Sequence, residues 1–397
     1  MPKVSVLIPA YNVAPYINEC IDSVLNQTLQ DFEIICVDDC STDTTLSILQ
    51  EYAAKDDRIN VIIHGVNKGQ SSGRNDALEK AAGEYVYMLD ADDMIVPECL
   101  EELYEICSRD GLDIAGFETK NFSEDVQFKQ NVAIKTIEYQ DTGILDGREA
   151  LIYCMQNETF SLSTPTFMMR REYLMEKNIR FVEGILHEDV GYIFELITRA
   201  RRVRFLHKVY FLRRIRANST MTKGFTAKNI EGYIKSFYKS FELEPELSEY
   251  LKNEDQSFRN AYEKWQRDIF GRLNQLYEIS AENKLRDEAT DEIGHVYRII
   301  ELNHFRTDIP PIKECYLCGM GQYTERAIQA VGVRDIIIKG IIVLKKEKRS
   351  FKGFPLFTVD EIDTETPVIL SVSKYSKADY TDILKKNRVE NLIELEF

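Results

Sequence analysis

Three carboxylates stand within four residues at Asp90, Asp92 and Asp93, directly after the apolar run at residues 85–89. So much like charge in one loop is unfavourable unless a cation lies among the oxygens. Carboxylate oxygens suit Mg²⁺ or Mn²⁺, and such an ion in turn suits a diphosphate. The competing interpretation is a solvated turn before a helix, because acidic residues are common where helices begin.

Four short apolar runs alternate with segments of helical spacing along the first quarter of the chain. The predicted strands are residues 4–8, 32–37, 59–63 and 85–89, and the predicted helices are residues 14–27, 44–53 and 76–82. This alternation predicts an α/β fold with a mainly parallel sheet and helices on both faces. Ligands bind such sheets beyond the carboxyl ends of the strands, so we expect the loops 9–12, 38–43 and 90–93 to meet at one rim.

The composition indicates a globular chain of two or three domains. The chain has 397 residues, of which 44% are hydrophobic, and a formal net charge of −16. Nucleic acid is not an expected partner, because its binding needs a basic face. No run approaches the ~20 apolar residues of a membrane helix, and the N-terminus lacks a secretory signal, so we expect a cytoplasmic protein. The eight cysteines are then expected to be reduced, including the Cys315-x-x-Cys318 pair.

An ordered set of short motifs carries a family resemblance. The motifs are Pro9-Ala10-Tyr11-Asn12, Val37-Asp38-Asp39-Cys40-Ser41-Thr42-Asp43, Asn67-x-Gly69 with Arg74-Asn75, Gly83-Glu84-Tyr85 and Leu89-Asp90-Ala91-Asp92-Asp93. In this order they resemble the family 2 glycosyltransferases, which are inverting enzymes with the GT-A fold. One departure is Cys40, because the family usually has glycine in that turn. We expect a slightly altered loop that still binds.

The resemblance implies a site for a nucleotide-sugar donor, with a UDP-sugar favoured. It assigns to the nucleotide Pro9, Ala10, Tyr11, Asn12, Asp38, Asp39, Gly69, Arg74, Asp90 and Ala91. Asp39 is expected to accept a hydrogen bond from the uracil N–H, and Asp38 either takes that contact instead or fixes the turn. We expect Tyr11 to stack on the base and Arg74 to face the diphosphate, with a surface ion pair as the alternative for Arg74.

The same resemblance divides the acidic loop into separate roles. Asp92 is the predicted ligand of Mg²⁺ or Mn²⁺, which would act as a Lewis acid on the leaving diphosphate. Because Mg²⁺ keeps most of its ligands as water and phosphate, few protein carboxylates are needed. Asp90 is expected to bind the ribose or to assist through water, and Asp93 to support the loop. Arg214 and Arg216 are candidates for clamping the phosphates during transfer.

A second acidic pair, Glu188-Asp189, resembles the family motif whose aspartate is the catalytic base. Asp189 would take the proton of the acceptor hydroxyl as that oxygen attacks the anomeric carbon. Partial burial or the neighbouring Glu188 should raise the pKa of this carboxyl. The alternative is an aspartate favoured at a helix N-terminus by the helix dipole. His187 is a candidate contact to metal or acceptor, although a lone histidine is more often incidental.

The remainder of the chain predicts two further segments. Residues 1–225 are interpreted as the catalytic domain, 226–308 as a helical bridge and 309–397 as a small Rossmann-like α/β domain. Aromatic residues at helical spacing in the bridge are expected to pack a core, and the bridge is also a candidate homo-oligomer surface. The turn Gly319-x-Gly321 lacks the third glycine and the acidic ribose ligand of a dinucleotide site. We therefore expect a structural or regulatory role for the last domain.

Together these features predict an inverting, metal-dependent glycosyltransferase. It would move a sugar from a nucleotide-diphosphate sugar to a hydroxyl of a glycan or lipid-linked acceptor, in bacterial surface polysaccharide synthesis. A lipid-linked acceptor would bring the protein to the inner face of the cell membrane, although no basic amphipathic anchor is evident. One alternative is a nucleotide-sugar nucleotidyltransferase, which should carry a glycine-rich signature where Pro9-Ala10-Tyr11-Asn12 stands. The other alternative is a non-catalytic nucleotide-binding scaffold.

Overall fold

The structure is a computed structural model, and it describes residues 1–123, 136–216, 227–243, 246–247, 256–282, 313–319, 324, 337–344, 350–370, 374–389 and 391–394. The chain folds as two compact units, Met1–Ala289 and Thr290–Phe397. The predicted bridge residues 283–308 and Gly321 lie outside the described residues.

The first unit alternates strands and helices as the apolar runs predicted. Its strands are β1 (Val4–Ala10), β2 (Phe32–Asp38), β3 (Ile59–Ile63), β4 (Tyr85–Met88), β5 (Met94–Ile95), β6 (Ile114–Phe122), β7 (Phe167–Arg170) and β8 (Val203–Arg214). Its helices are α1 (Ile17–Leu25), α2 (Thr45–Ala53), α3 (Gln70–Lys80), α4 (Cys99–Asp110), α5 (Gly147–Gln156), α6 (Arg171–Glu176), α7 (Asp189–Thr198), α8 (Ala227–Glu242) and α9 (Gln256–Glu282). A 3₁₀ turn at Thr164–Thr166 precedes β7.

These strands form one sheet in the order β3-β2-β1-β4-β7-β6-β8-β5. β1 pairs in parallel with β2 and with β4, and β2 pairs in parallel with β3. β7 runs antiparallel to both β4 and β6 and so joins the parallel part to the rest of the sheet. The predicted α/β class with a mainly parallel sheet is confirmed.

β1 shows why its sequence is an unbroken apolar run. All seven of its residues are buried. Val4, Val6 and Ile8 join the core on one face of the sheet, and Leu7 joins the core on the other face. A strand covered by helices on both faces cannot alternate apolar and polar residues. The strand is thereby held rigidly between its neighbours, with its carboxyl end at the predicted rim.

Helix α3 begins six residues before the predicted start at residue 76, at Gln70. The first turns of this helix are polar yet buried, so they carry no apolar periodicity for a sequence pattern to detect. Gly69 has φ of 89° immediately before the helix, a conformation that glycine adopts without a steric penalty. The earlier start places Arg74 within the helix, where its side chain is buried.

The described helices of the predicted bridge pack within the first unit. Trp265 of α9 is buried, and its ring lies 4.1 Å from that of Phe194 on α7. Tyr233 of α8 packs its ring 4.5 Å from the imidazole of His187. These aromatic residues pack a core, as expected, while the role of the bridge in homo-oligomers stays a prediction.

The second unit contains a separate sheet. Its strands are β9 (Glu314–Cys318), β10 (Ile337–Ile342), β11 (Ser350–Phe351), β12 (Phe354–Phe357), β13 (Val368–Leu370) and β14 (Leu392–Glu394), with helix α10 (Lys374–Lys386). The strand order is β11-β12-β10-β9-β13-β14. Among the described strands of this second sheet, β11 and β12 form the one antiparallel pair, and the other pairs are parallel. Its Rossmann-like character stays a prediction.

The cysteines of both units are free thiols. Cys315 and Cys318 are buried in β9, and burial raises the pKa of the Cys315 thiol to about 12. A buried protonated thiol is unreactive, which agrees with the expectation of inert cysteines. Among the described helices, none combines the length and apolar character that crossing a bilayer requires.

Candidate active site

The loops that follow β1, β2 and β4 meet at one edge of the sheet. Ala10 pairs with Asp38 at the ends of β1 and β2, and the carbonyl of Ala10 accepts from the Asp39 N–H at 2.9 Å. The side chain of Asn12 ties the first two loops together, since its Oδ1 accepts from the Thr42 N–H at 2.8 Å. This convergence follows from the parallel pairing of adjacent strands, which brings their carboxyl ends to the same side.

Asp39 is the best-held carboxylate of this rim. Its Oδ1 accepts from the Lys68 N–H at 2.8 Å and lies 2.7 Å from Nδ1 of His64. Its Oδ2 accepts from the Gly69 N–H at 2.7 Å. The Asp39 side chain is therefore fixed in orientation while one oxygen retains room for a further donor, because a carboxylate oxygen can accept two hydrogen bonds.

Asp38 contacts the backbone of the turn that follows it. Its Oδ2 accepts from the Ser41 N–H at 3.1 Å, and the residue is buried. Cys40 has φ of 62° in this turn, the left-handed region that glycine favours. Cys40 therefore adopts the backbone conformation that glycine usually takes in this turn, and the left-handed conformation costs a residue with a Cβ about 1–2 kcal/mol.

The other rim residues of the first loop differ in exposure. Tyr11 is 47% exposed, so its ring is accessible to a nucleobase. Pro9 and Ala10 are buried as the last residues of β1. Asn12 has φ of 51° and uses its side-chain oxygen on the neighbouring loop, so in this structure it supports the rim.

The acidic loop after β4 is neutralised by arginines. Asp90 Oδ1 accepts from Nη2 of Arg74 at 2.8 Å. Asp92 Oδ2 accepts from Nε of Arg216 at 2.7 Å. Asp93 is buried, like Ala91 of the same loop. Cations from two distant parts of the chain therefore relieve much of the repulsion that the sequence predicted.

Asp93 contacts the end of β8, and its predicted support of the loop stays a prediction. Its Oδ1 accepts from the backbone N–H of Arg214 at 2.6 Å. Burial raises the pKa of Asp93 well above its usual value, and the charges of Asp92 and Asp90 add to this. The guanidinium of Arg214 donates to the Asp92 carbonyl at 2.9 Å and pairs with Glu19 at 2.5 Å. Glu19 is a partner that no motif indicated.

This loop could hold a divalent cation through one carboxylate, with phosphate and water as the remaining ligands. Among the described residues, no three His, Cys, Asp or Glu side chains converge as a metal site built by protein alone. One carboxylate together with phosphate and water is a common arrangement for Mg²⁺. The side chain of Asp92 is 21% exposed, so it can reach an ion at the rim, in exchange with or beside Arg216.

The predicted base lies at the start of α7, next to this rim. Asp189 Oδ1 accepts from Oγ1 of Thr164 at 2.5 Å and from Nη1 of Arg74 at 3.0 Å. Glu188 Oε1 accepts from the same Nη1 at 2.9 Å. Burial raises the pKa of Asp189, although Arg74 opposes the shift. Burial and the charge of Asp189 raise the pKa of Glu188 to about 7.

Arg74 joins the donor rim to the base. It is 1% exposed, and its guanidinium contacts Asp90, Glu188 and Asp189. Burial alone would lower the pKa of Arg74, but these carboxylates together raise it. Arg74 is thus a buried ion pair and not the surface pair considered as its alternative. Its contact to a diphosphate stays a prediction.

His187 packs against α8 in the structure. Its Nε2 lies 3.0 Å from Nδ2 of Asn229, and its backbone has φ of 59°. Burial lowers the pKa of this imidazole. Ser236 also donates to the His187 carbonyl at 3.2 Å. His187 therefore anchors the base loop to a helix, and its contact with an acceptor stays a prediction.

Three further polar residues of the site were missed by sequence reasoning. His64 contacts Asp39, Gln70 donates to Asp90 at 2.8 Å, and Thr164 donates to Asp189. None of them lies beside its partner in the chain, and none belongs to a recognisable motif. Only the position of His64 directly after a predicted strand could have suggested a place at the rim.

Comparisons with known proteins identify the family to which the sequence is related. The family model described as Glycosyl transferase family 2 matches residues 5–177. An uncharacterized glycosyltransferase of Haemophilus influenzae is 30% identical over 202 residues, which cover 51% of this chain and 74% of that protein. The poly(ribitol-phosphate) beta-glucosyltransferase of Bacillus spizizenii is 45% identical over 115 residues, covering 28% of this chain and 18% of that protein. This chain covers only 61% and 63% of the length of two further glycosyltransferases that it matches.

A solved structure shares the fold. Staphylococcus aureus TarS 1–349, in complex with UDP-GlcNAc, matches with a TM-score of 0.59 and 21% identity, over 84% of this chain and 88% of that chain. A likeness at this level of identity concerns the fold alone, and it agrees with the predicted GT-A class.

Proposed function

This chain belongs to glycosyl transferase family 2, and on that premise we propose that it transfers a sugar from a UDP-sugar to a hydroxyl of a glycan or lipid-linked acceptor, with inversion. One observation carries the proposal. The half-buried carboxylate of Asp189 and the donor-loop carboxylate of Asp90 are held by the same guanidinium, that of Arg74. A candidate base beside a candidate donor site is the arrangement that direct displacement at a sugar carbon requires.

Asp39 recognises the nucleobase in this proposal. Two backbone N–H groups and His64 already hold its carboxylate, and the remaining acceptor position of Oδ2 takes the N–H of uracil. Tyr11, which is exposed at the rim, stacks on the ring. Asp90 binds the ribose, which its partial exposure of 28% allows.

Asp92 would hold Mg²⁺ or Mn²⁺, an ion that neutralises charge on the leaving diphosphate when bound. The side chain of Arg216 lies on Asp92 and that of Arg214 beside it. Both guanidinium groups suit phosphate oxygens, because they donate in a fixed planar fork. They supply positive charge at the point where negative charge develops.

Asp189 acts as the general base. The acceptor oxygen forms a bond to the anomeric carbon while its proton passes to the Asp189 carboxylate. On the opposite face the bond from carbon to phosphate oxygen breaks, and its electron pair leaves with the diphosphate. Thr164 and Arg74 hold Asp189 in orientation. The raised pKa of Asp189 makes it a stronger base than an exposed aspartate.

The acceptor class rests on the relatives. One of them is named as a glucosyltransferase acting on poly(ribitol-phosphate), a hydroxyl-rich polymer, so a surface polysaccharide or its lipid-linked precursor is the proposed acceptor. A lipid-linked acceptor would place the protein at the inner face of the membrane. Membership of a glycosyltransferase family favours sugar transfer over the two alternatives, a nucleotidyltransferase and a non-catalytic scaffold.

Calorimetric titration with UDP, GDP and dTDP, each with and without Mn²⁺, tests the donor. We expect UDP to bind most tightly and Mn²⁺ to strengthen that binding. UDP at a hundred times its dissociation constant should stabilise the fold by ~2.7 kcal/mol in thermal unfolding. Sugar transfer from a UDP-sugar panel is then followed by UDP release. Absence of UDP binding in the presence of Mn²⁺ would contradict the proposal.

Titration of Mn²⁺ in the presence of UDP tests the metal assignment without relying on turnover. Asp92→Asn should weaken Mn²⁺ binding by at least about tenfold. Asp56→Asn is the matched control, because Asp56 pairs with Arg58 just before β3, at the amino end of the strands. Equal Mn²⁺ affinity in both variants would show that Asp92 is not the ligand.

A further inference from the structure

His64 lies between two carboxylates in the wall behind the donor rim. Its Nδ1 is 2.7 Å from Oδ1 of Asp39, and its Nε2 is 2.8 Å from Oδ2 of Asp76. The imidazole is buried, with 3% of its side chain exposed. Both ring nitrogens therefore have acidic partners.

This histidine joins three elements of the fold. It follows the last residue of β3, and its backbone N–H donates to the Asp38 carbonyl at 2.9 Å. Asp39 follows β2, and Asp76 lies on α3. Among the described residues, the other charged group facing this cluster is Lys68, whose Nζ lies 3.4 Å from the same Oδ2 of Asp76. The position of Asp39 relative to the helix thus depends on His64.

The contact with Asp39 has a defined direction. An ionised carboxylate only accepts hydrogen bonds, so Nδ1 of His64 is the donor in the contact with Oδ1 of Asp39.

The three donors to Asp39 are distributed unevenly. Oδ1 takes both the Lys68 N–H and His64, while Oδ2 takes only the Gly69 N–H. His64 is the one side chain in this set, and the other two donors are backbone groups fixed by the loop before α3. Removing the imidazole would leave Oδ1 with a single donor and the carboxylate freer to rotate.

We propose that His64 is a positioning residue that orients Asp39 toward the nucleobase, so that donor affinity depends on the contact between the imidazole and Asp39. This inference rests on the proposed use of a UDP-sugar. His64 touches neither the donor sugar nor the base Asp189 in it. Its loss therefore raises the donor KM by much more than it lowers kcat.

Calorimetric titration of the full chain with UDP tests the inference. We expect His64→Gln to weaken UDP binding about tenfold. His64→Asn, whose amide can reach the place of Nδ1, should restore most of the affinity. Asp76→Asn leaves the contact between Nδ1 and Asp39 in place and should bind UDP more tightly than His64→Gln.

Wild-type affinity for His64→Gln, or an affinity of His64→Asn no better than that of His64→Gln, would overturn the role of His64. If His64→Gln does not fold, His64→Leu takes its place in the same titration. A merely structural role of His64 would lower thermal stability without raising the donor KM more than it lowers kcat. Failure of wild type to bind UDP is a separate result, which overturns the proposed function itself.

Discussion

Asp39 on the donor rim is buried and the Glu188–Asp189 pair is half-buried, and their charges are offset differently. Asp39 receives two backbone N–H groups and an imidazole contact of its own. Glu188 and Asp189 share the guanidinium of Arg74 with Asp90. Hydrogen bonds from fixed amides favour the ionised form of a carboxylate, whereas crowding around one cation leaves negative charge in excess.

This difference suits Asp39 to the proposed recognition of the nucleobase and Asp189 to the proposed proton transfer. A carboxylate held by backbone amides keeps its orientation, which suits binding the edge of a nucleobase. A carboxylate whose burial is only partly offset by an arginine has a raised pKa, as Asp189 and Glu188 have. Such a group takes up a proton more readily, which suits a general base.

The largest effect is expected at Asp189, the predicted base. Asp189→Asn should lower the transfer rate by about 10³-fold, because the amide cannot take the acceptor proton. Its affinity for UDP should remain within about twofold of wild type. UDP release at saturating donor measures the rate, and calorimetry measures the affinity.

Asp39→Asn is the matched variant and should show the opposite pattern, with weakened UDP binding and a smaller effect on the rate at saturating donor. The division between recognition and proton transfer is wrong if both variants lose affinity and rate in equal proportion.

Arg74→Met should lower the free energy of unfolding by ~3 kcal/mol at ~pH 8, because it leaves buried carboxylates without their cation. The loss should be smaller at ~pH 5. Without Arg74 the pKa values of Glu188 and Asp189 rise further, so the folded state keeps protons that the unfolded state has released, and stability falls as pH rises. Urea unfolding at both pH values measures the difference.

Arg58→Met is the control for this prediction, since Arg58 pairs with Asp56 near the surface and should cost less than ~1 kcal/mol at either pH. An Arg74 effect that is equal at both pH values would mean that the shared cation does not set the charge state of the base.

Gly232→Ala tests whether α8 positions the base loop. A Cβ at Gly232 would lie 1.7 Å from the Leu186 carbonyl oxygen, so the loop before Asp189 must shift. We expect a loss of ~2 kcal/mol, shared between stability and transfer rate, with UDP affinity unchanged.

Gly143→Ala is the control, because nothing lies within 4 Å of a Cβ there. A drop in UDP affinity in Gly232→Ala, with the transfer rate preserved at saturating donor, would show that α8 affects the donor site and not the loop before Asp189.

Glu188→Gln should give the smallest effect and the only gain. In the folded state the pKa of Glu188 is about 7, above its ordinary 4.5. The unfolded chain therefore releases this proton first, and the folded state loses stability between these two pH values. The variant should be about 1 kcal/mol more stable than wild type at ~pH 8 and no more stable at ~pH 4. Thermal unfolding across this range measures the gain, and a gain confined to low pH would refute the sign.

Much of the fold could be predicted because burial leaves a local mark. β1 to β4 are apolar runs followed by polar loops, and α1 and α2 each show one apolar face. The start of α3 was missed for the same reason, since Ser71, Ser72 and Arg74 are buried although polar. Their burial depends on partners that lie elsewhere in the chain.

The site divides along the same line. The types of the rim residues and their places after strands indicated a nucleotide site with Asp39, Asp90 and Asp92 at its edge. The partners of those residues were not predictable. Arg74 contacts Asp189 across 115 positions of sequence, and Thr164 and His64 carry no motif.

By itself the sequence determined which segments become strands and which polar loops lie at their carboxyl ends, because those properties follow from local hydrophobic pattern. Tertiary structure alone decided which charges meet. The pairing of Arg74 with Asp90, Glu188 and Asp189 depends on how α3, the β4 loop and α7 approach one another. The proton affinity of Asp189 depends on this pairing and on desolvation. Desolvation is a property of the packed molecule and not of any one segment.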